Sequence, residues 1–203
     1  MTTSSAWIQT AGGKQFFPLD PDPSQLDIRD IAHALSNLCR YTGHVNRFLS
    51  VGEHSVRVAN YMLGIQPENK TKQGDSQARL EACYGLMHDA SEAYLQDLPR
   101  PLTEQPEFAF YRKAEAKLQS MIYKWCGLGE EEPAAVHLAD MTMLSTERVA
   151  LLGPSPAPWC VLPPPLANYQ NGGGSNFGWD PGCAETNFLR TFEVLFHPAG
   201  YRP

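Results

Sequence analysis

The chain has no run of about 18 consecutive apolar residues, the least that a membrane-spanning helix requires. Its beginning, MTTSSAWIQT, lacks the basic segment and the apolar core of a secretion signal. Its 5 cysteines are odd in number and form no Cys-x-x-Cys pair, which favours free thiols in a reducing compartment over a disulfide framework. We therefore expect a cytoplasmic protein that has no contact with a membrane.

An excess of positive charge is also missing, because the formal net charge is −6. A protein that binds a nucleic-acid polymer neutralises its phosphates with clustered Lys and Arg side chains. We therefore expect no nucleic-acid polymer as a partner. A small anionic substrate is compatible with this charge, since it needs only a few cations near its own site.

The composition is that of a globular protein, with 42% hydrophobic and 19% charged residues. A length of 203 residues fits one domain with a sizeable core, spanning residues 1–203. Two extended pieces around Gly12-Gly13 predict a small N-terminal β-hairpin, and the rest of the pattern predicts an all-α fold. The predicted helices start at Ile28 and at about Ser50, run from about Ala78 to Leu95 and from about Glu107 to Trp125, follow Pro133, and run from about Ala184 to Phe196.

A Pro- and Gly-rich excursion over about residues 153–183 precedes the last helix. A connection of this length without its own elements is usually functional or disordered. Its aromatic residues Trp159, Tyr169, Phe177 and Trp179 argue against full disorder, since disordered chains contain few aromatics. Two interpretations stay open, a packed structural excursion and a lid or subunit contact.

Residues that commonly bind metals interrupt apolar helical runs at three places. His54 lies beside apolar residues of its helix, the pair His88-Asp89 follows an apolar run, and Asp140 lies in the middle of another. Taken singly, each could be a hydrogen-bonded core residue, a helix cap or a member of an ion pair. Together, two imidazoles and two carboxylates suit a divalent transition metal with coordination positions left for water.

Two further carboxylates share helix faces with these residues. On a continuous helix, Glu92 would lie on the face of His88 and Asp89. Glu147 follows Asp140 by seven residues, on roughly the same face. It could hydrogen-bond a metal ligand or be a solvated charge.

At this point the sequence resembles a known family. The order His…His-Asp…Asp, with HDASEAYLQDLPRP around the pair, closely resembles the HD-domain metal-dependent phosphohydrolases over about residues 28–150. Within them it resembles the bacterial and phage branch that hydrolyses 2′-deoxynucleotides, including 5′-deoxynucleotidases and deoxynucleoside triphosphatases. The stretch DIAHALSNLCRYTGHVNRFLSVGEHS is similar to phage-encoded members, some of which remove dATP.

The resemblance implies an HD-domain helical bundle that binds Zn, Co, Mn or Fe, and a homo-oligomer in the cytoplasm of a bacterium or a phage-infected host. By motif, the metal ligands correspond to His54, His88, Asp89 and Asp140. Glu92 matches the glutamate of HDxxE, to which the family assigns a catalytic role near the attacking water.

The resemblance also implies substrate contacts. Asp97 matches the aspartate before Leu-Pro, near the substrate, and joins Glu92 as a catalytic candidate. Arg40 matches an arginine that contacts phosphate. Tyr41 stands where the deoxynucleotidases have a tryptophan that packs against the sugar and disfavours a 2′-hydroxyl.

Two departures from the family pattern concern the phosphates. The family often has lysines where this chain has Thr103 and His137, so fewer cations would face the phosphates. His44 and His137 are the remaining candidates for substrate binding. The number of phosphates on the substrate therefore stays open.

The predicted function is hydrolysis of a phosphoester or phosphoanhydride bond in a 2′-deoxynucleotide, a dNTP or a dNMP, by metal-activated water. One alternative is a hydrolase of another phosphorylated small molecule, such as a cyclic dinucleotide or an alarmone. A second is a metal-bound nucleotide sensor without turnover. A third is a purely structural helical bundle whose polar residues face solvent.

Overall fold

A computed structural model describes residues 6–66, 69–70, 76–159, 161–167 and 177–197. Within these ranges the chain is mostly helical, as predicted. None of the helices described has both the length and the apolar character needed to cross a membrane. The α-helices are α1 (Ile28–Asn37), α2 (Val51–Met62), α3 (Ser76–Met87), α4 (Glu92–Leu95), α5 (Arg100–Thr103), α6 (Ala109–Trp125), α7 (Ala134–Leu151) and α8 (Pro181–Phe196).

Two short antiparallel hairpins accompany the helices. Strand β1 (Ile8–Gln9) pairs with β2 (Gln15–Phe16), which confirms the predicted N-terminal hairpin. A second ladder joins β3 (Ile65–Gln66) to β4 (Asn69–Lys70) in the connection between α2 and α3, where no strand was predicted.

The third predicted helix is wrong in its length, because α3 ends at Met87 instead of continuing to Leu95. Residues 88–91 form turns, and only the short helix α4 follows. The His88 Nδ1–H donates to the carbonyl of Gly85 at 2.9 Å and so satisfies one of the groups that a helix end leaves unpaired. The backbone N–H of Ala90 donates to the carbonyl of Met87, three residues earlier. This is the hydrogen-bond pattern of a 3-10 turn, so the chain leaves the α-helical path after Met87.

Two other helices begin a few residues away from their predicted first residue. A turn of 3-10 helix over Pro106–Phe108 precedes α6, which therefore begins at Ala109. Helix α8 begins earlier than predicted, at Pro181, because the Asp180 side chain accepts the Cys183 backbone N–H at 3.0 Å and caps the helix.

Helix α2 lies at the centre of the fold and packs against α1, α3, α7 and α8. Its apolar residues Val51, Val58 and Ala59 are fully buried. Because neighbours surround the helix, its polar residues Glu53 and His54 are also withdrawn from solvent, at 0% exposure. Each of these two needs polar partners, since an unpaired buried charge is costly.

The buried Glu53 carboxylate pairs with Arg57 and with backbone N–H groups just before α8. Arg57 Nη2 donates to Glu53 Oε1 at 2.6 Å, and the backbone N–H groups of Gly178 and Trp179 reach Oε2 at 3.1 and 2.8 Å. The Arg57 guanidinium also lies over the rings of Phe177 and Trp179, 4.1 and 4.9 Å from their centroids. This cluster fastens the end of the excursion to α2.

The described part of the excursion also contacts α7. The backbone N–H of Leu166 donates to Thr146 Oγ1 at 3.1 Å, and Leu166 packs against a small core cluster that contains Leu49 and Val58. Phe177 is buried in the same cluster. Tyr169 lies outside the described residues.

We predict that Glu53→Ala destabilises the protein by about 3–5 kcal/mol, the usual cost of leaving one member of a buried ion pair unpaired. Urea unfolding followed by far-UV circular dichroism measures the loss. Glu131→Ala, at an exposed glutamate, is the matched control and should change the free energy of unfolding by less than about 0.5 kcal/mol. Equal effects of the two substitutions would contradict the structural role assigned to Glu53.

Candidate metal centre

The four residues predicted as metal ligands converge from α2, the α3–α4 turn and α7. His54 Nε2 lies 3.3 Å from His88 Nε2 and 3.2 Å from Asp140 Oδ1. His88 Nε2 lies 3.2 Å from Asp89 Oδ2 and 3.9 Å from Asp140 Oδ1. The ligand atoms offered by His54, His88 and Asp89 all lie within 4.8 Å of one another, close enough to hold one metal ion.

Both imidazole rings are oriented by a hydrogen bond at Nδ1. His88 donates its Nδ1–H to the Gly85 carbonyl at 2.9 Å, and His54 Nδ1 lies 2.6 Å from Glu147 Oε1. Each ring therefore turns its Nε2 atom towards the common centre. A carboxylate or carbonyl on the far nitrogen is the arrangement that typically orients a histidine ligand.

Glu147 connects this centre to the Arg40–Gly43 loop. Its side chain is fully buried, and its Oε2 accepts a hydrogen bond from Arg40 Nε at 3.2 Å. The Tyr41 hydroxyl lies 3.2 Å from the same oxygen. Burial alone would raise the pKa of Glu147, but the positive charge of Arg40 and the contact with His54 lower it. The sequence left this residue as a ligand partner or a solvated charge, and the structure shows that it is buried and hydrogen-bonded.

The loop itself holds a strained conformation beside the centre. Tyr41 and Thr42 have φ angles of 56° and 52°, in the left-handed region that β-branched residues such as Thr rarely adopt. The Tyr41 hydroxyl lies 3.2 Å from the carbonyl oxygen of Leu144, and Arg40 Nη1 donates to Asp89 Oδ2 at 3.4 Å. These contacts with α7 and the α3–α4 turn hold the loop against the metal centre.

The charges of the cluster stabilise one another. Burial would lower the pKa of His88, but the charge and hydrogen bond of Asp89, with Asp140 and the Gly85 carbonyl, raise it to about 9. Burial would raise the pKa of Asp140, but its hydrogen bond to His54 and the surrounding positive charges lower it. A metal ion that binds here therefore displaces a proton from His88, and its affinity depends on pH.

Glu92 lies in the opposite electrostatic environment. It lines a cavity of about 320 Å³ together with His88, Asp89 and residues of α6. Its Oε2 is buried and has no hydrogen-bond partner within the described residues. Burial, reinforced by the charges of Asp89 and Asp97, raises the pKa of Glu92 well above its ordinary value and so favours its protonated form.

Asp97 lies in a similar environment, and its pKa is also raised. Burial raises its pKa, the charge of Arg40 opposes that rise, and the charge of Asp89 adds to it. The two predicted catalytic carboxyls therefore have raised pKa values, whereas the carboxyls of Asp89 and Asp140 have lowered ones. Such a separation is typical of sites that divide acid and base roles between carboxyl groups.

Two residues of α6 complete the site without having been singled out from the sequence. Gln119 bridges the His88-Asp89 turn, because its Nε2 donates to the Met87 carbonyl at 2.7 Å and its Oε1 accepts the Ser91 N–H at 3.0 Å. Glu115 lines the same cavity as Glu92. Their spacing of four residues on an amphipathic helix was the only signal in the sequence.

Some interpretations made from the sequence fail or lack support. His88, Asp89 and Glu92 do not share a helix face, because α3 ends before them, and the turn brings Glu92 to the cavity instead. His44 and His137 are both exposed, and within the described chain no hydrogen bond or ion pair links either imidazole to the centre. A purely structural bundle with solvated polar residues is contradicted by the full burial of His54.

Comparisons with known proteins find bacterial relatives that match most of the chain. No protein-family model matches it. It is 35% identical over 144 residues to the uncharacterized protein YfdR of Escherichia coli strain K12, which covers 70% of this chain and 71% of YfdR. It is 29% identical over 158 residues to an uncharacterized protein of Rhodobacter capsulatus, which covers 75% of this chain and 76% of that protein.

We predict that the purified protein binds one divalent transition metal ion and that His88→Ala and Asp89→Ala each lose most of it, since each removes a converging ligand atom. Plasma emission spectrometry after dialysis against Zn, Co or Mn measures the bound metal. His33→Ala, at an exposed histidine of α1, is the matched control and should keep the wild-type content. Full occupancy in both ligand variants would rule out this centre.

Proposed function

The chain belongs to the same family as YfdR, and from the site that it builds we propose that it is a metal-dependent phosphohydrolase of the HD-domain type, acting on 2′-deoxynucleotides. The observation that carries the proposal is the convergence of two oriented imidazoles and two carboxylates beside an arginine and a buried carboxyl group whose pKa is raised. This combination serves phosphoryl transfer to water, which requires charge stabilisation and a proton transfer.

The donor set fits a divalent transition metal. His54, His88, Asp89 and Asp140 would hold the ion through two nitrogen and two oxygen atoms, a mixture that Zn, Co, Mn and Fe accept. When bound, the ion would supply Lewis acidity towards water and towards a phosphoryl oxygen. Glu147 would keep His54 in position from the other side of the ring.

Arg40 would neutralise a phosphate beside the metal centre. Its Nε and Nη1 donate to Glu147 and Asp89, which leaves other N–H groups of the five that a guanidinium carries. These two carboxylates hold the side chain in place, so a phosphate would meet a cation whose orientation is already set. The burial of the side chain, 11% exposed, strengthens that interaction.

Glu92 would transfer a proton without binding the metal. A carboxyl group with a raised pKa is suited to donate a proton to the leaving oxygen. Glu92 lines the cavity that also borders His88 and Asp89, where a leaving group could approach, and its Oε2 has no hydrogen-bond partner within the described residues. Asp97 is the next candidate for the same role.

Tyr41 would provide the wall against which a sugar packs. Its hydroxyl contacts with α7 hold the ring beside the centre, and burial together with the charge of Glu147 raises the pKa of that hydroxyl. A ring in this position leaves less room for a 2′-hydroxyl. A cyclic dinucleotide or an alarmone is the second candidate substrate, because the metal centre and Arg40 would serve any phosphoester.

The proposed function predicts phosphate release from deoxynucleotides in the presence of Mn, Co or Zn, with a higher kcat/KM for dATP than for ATP. A steric clash with the 2′-hydroxyl is worth about 10–200-fold, and Tyr41→Ala should narrow that ratio. The measurement is a chromatographic assay of a panel of ribo- and deoxynucleotide mono-, di- and triphosphates. Tyr61→Ala, at a tyrosine of α2, is the control for loss of an aromatic ring. Equal rates on every ribo- and deoxy- pair would refute sugar selection, and no hydrolysis of any panel member would refute the proposed substrate class.

We further predict that Glu92→Gln keeps its metal while turnover falls by about 10²–10⁴-fold, the usual effect of removing a general acid or base. Metal content and steady-state rate are measured on one preparation. Glu104→Gln, at an exposed glutamate, is the control for the charge change. Loss of metal from Glu92→Gln would make Glu92 a ligand, and near-normal turnover would move the proton transfer to Asp97.

A further inference from the structure

A second cavity, of about 640 Å³, lies away from the metal centre. One wall is the C-terminal half of α7, through Ser145 and Arg148, and the other is the excursion, through residues 155–159 and 162–165. It shares no lining residue with the cavity beside Glu92. Its volume falls in the range of about 300–1,000 Å³ that is usual for small-molecule sites.

The cavity and the metal centre use different faces of α7. Asp140 and Glu147 are seven residues apart and point in nearly the same direction, towards His54. At about 100° per residue, Ser145 and Arg148 point roughly a quarter-turn or more away from them. A ligand in this cavity would therefore contact α7 without entering the metal centre.

Arg148 is the charged group of this cavity. Its Nε is buried and, within the described part of the chain, has no hydrogen-bond acceptor. Its guanidinium lies over the Trp159 ring, 5.6 Å from the centroid, which stabilises the cation but does not satisfy the N–H. The buried Nε is itself out of reach of a ligand, but the two Nη groups of the same guanidinium can offer their N–H bonds to an acceptor in the cavity. Carboxylate and phosphate match a guanidinium best, because two of their oxygens can accept from it together.

The opposite wall is rich in proline. Five of its residues are prolines, which have a fixed φ angle and no backbone N–H to offer. The Leu166 N–H bond to Thr146 ties this wall to α7 at its end. The Trp159 ring is 40% exposed and lies beside Arg148, so a planar group could stack on it at little cost in conformational entropy.

We propose that this cavity binds an aromatic anion, with the ring against Trp159 and a carboxylate or phosphate on Arg148. Both features are needed for this assignment. The guanidinium charge selects for an anion, and the partly exposed indole of Trp159 selects for a flat apolar group. The proposal does not depend on the activity assigned to the metal centre.

The test is isothermal titration calorimetry with 1-naphthyl phosphate and 1-naphthoate, with 1-naphthol and inorganic phosphate as partial ligands. We expect at least one of the two aromatic anions to bind at one site, and the partial ligands to bind at least about tenfold more weakly. The two anions distinguish a phosphate site from a carboxylate site. Failure of both to bind would overturn the proposal, as would equal binding of 1-naphthol.

Variants locate the binding. Arg148→Gln and Trp159→Ala should each weaken it by about tenfold or more, whereas Arg190→Gln and Trp125→Ala, which change an arginine and a tryptophan away from the cavity, should leave it unchanged. Arg148→Lys keeps the positive charge but lacks the planar guanidinium group, so it should bind the anion with intermediate affinity. Thermal unfolding checks that each variant is folded.

Asp89→Ala separates this site from the metal centre. It should bind the aromatic anions with the wild-type affinity, even where it has lost metal and activity. If Asp89→Ala abolishes binding while Arg148→Gln preserves it, the anion occupies the metal centre and the cavity is not a site.

Discussion

The rest of the candidate metal centre depends on the hydrogen bonds and ion pairs of the Glu147 carboxylate. From one fully buried position on α7 it orients the His54 ring, holds the Arg40 side chain and contacts the Tyr41 hydroxyl. A buried carboxylate is costly unless it is paired, and here the three partners come from α2 and from the Arg40–Gly43 loop. The same contacts that stabilise Glu147 therefore fix the relative positions of His54, Arg40 and Tyr41.

The helices and the residues that converge at the candidate centre could be predicted from the sequence because both predictions depend on local pattern. Apolar spacing placed α1, α2 and α6 within a few residues, and residue type alone brought His54 and Asp140 into one hypothesis. The end of α3 could not be predicted, because it depends on a bond from the His88 ring to the Gly85 carbonyl. A side chain that satisfies a helix end leaves no periodic signal.

Residues that act by positioning another residue could also not be identified from the sequence. Gln119 holds the two ends of the His88-Asp89 turn from α6, about thirty residues away in the chain, and it does so through hydrogen bonds to backbone groups of the turn. Glu147 was a candidate by its spacing from Asp140, but whether it was buried depended on how α2 packs on α7. Tertiary packing decides such roles, and a single sequence carries no record of it.

Charge balance explains how an acidic site could accept an anionic substrate. Asp89, Asp140 and Glu147 have lowered pKa values because Arg40 and the histidines compensate their charge. Without a metal ion, a proton on His88 provides part of the positive charge that compensates these carboxylates. A divalent ion would replace that proton and its charge. Burial, together with the charges of Asp89 and Asp97, instead raises the pKa of Glu92. Under the proposed function, this raised pKa would reduce the repulsion between Glu92 and a phosphate and would suit the transfer of a proton to a leaving oxygen. The position of Glu92 beside the cavity follows from the turn that ends α3 at Met87.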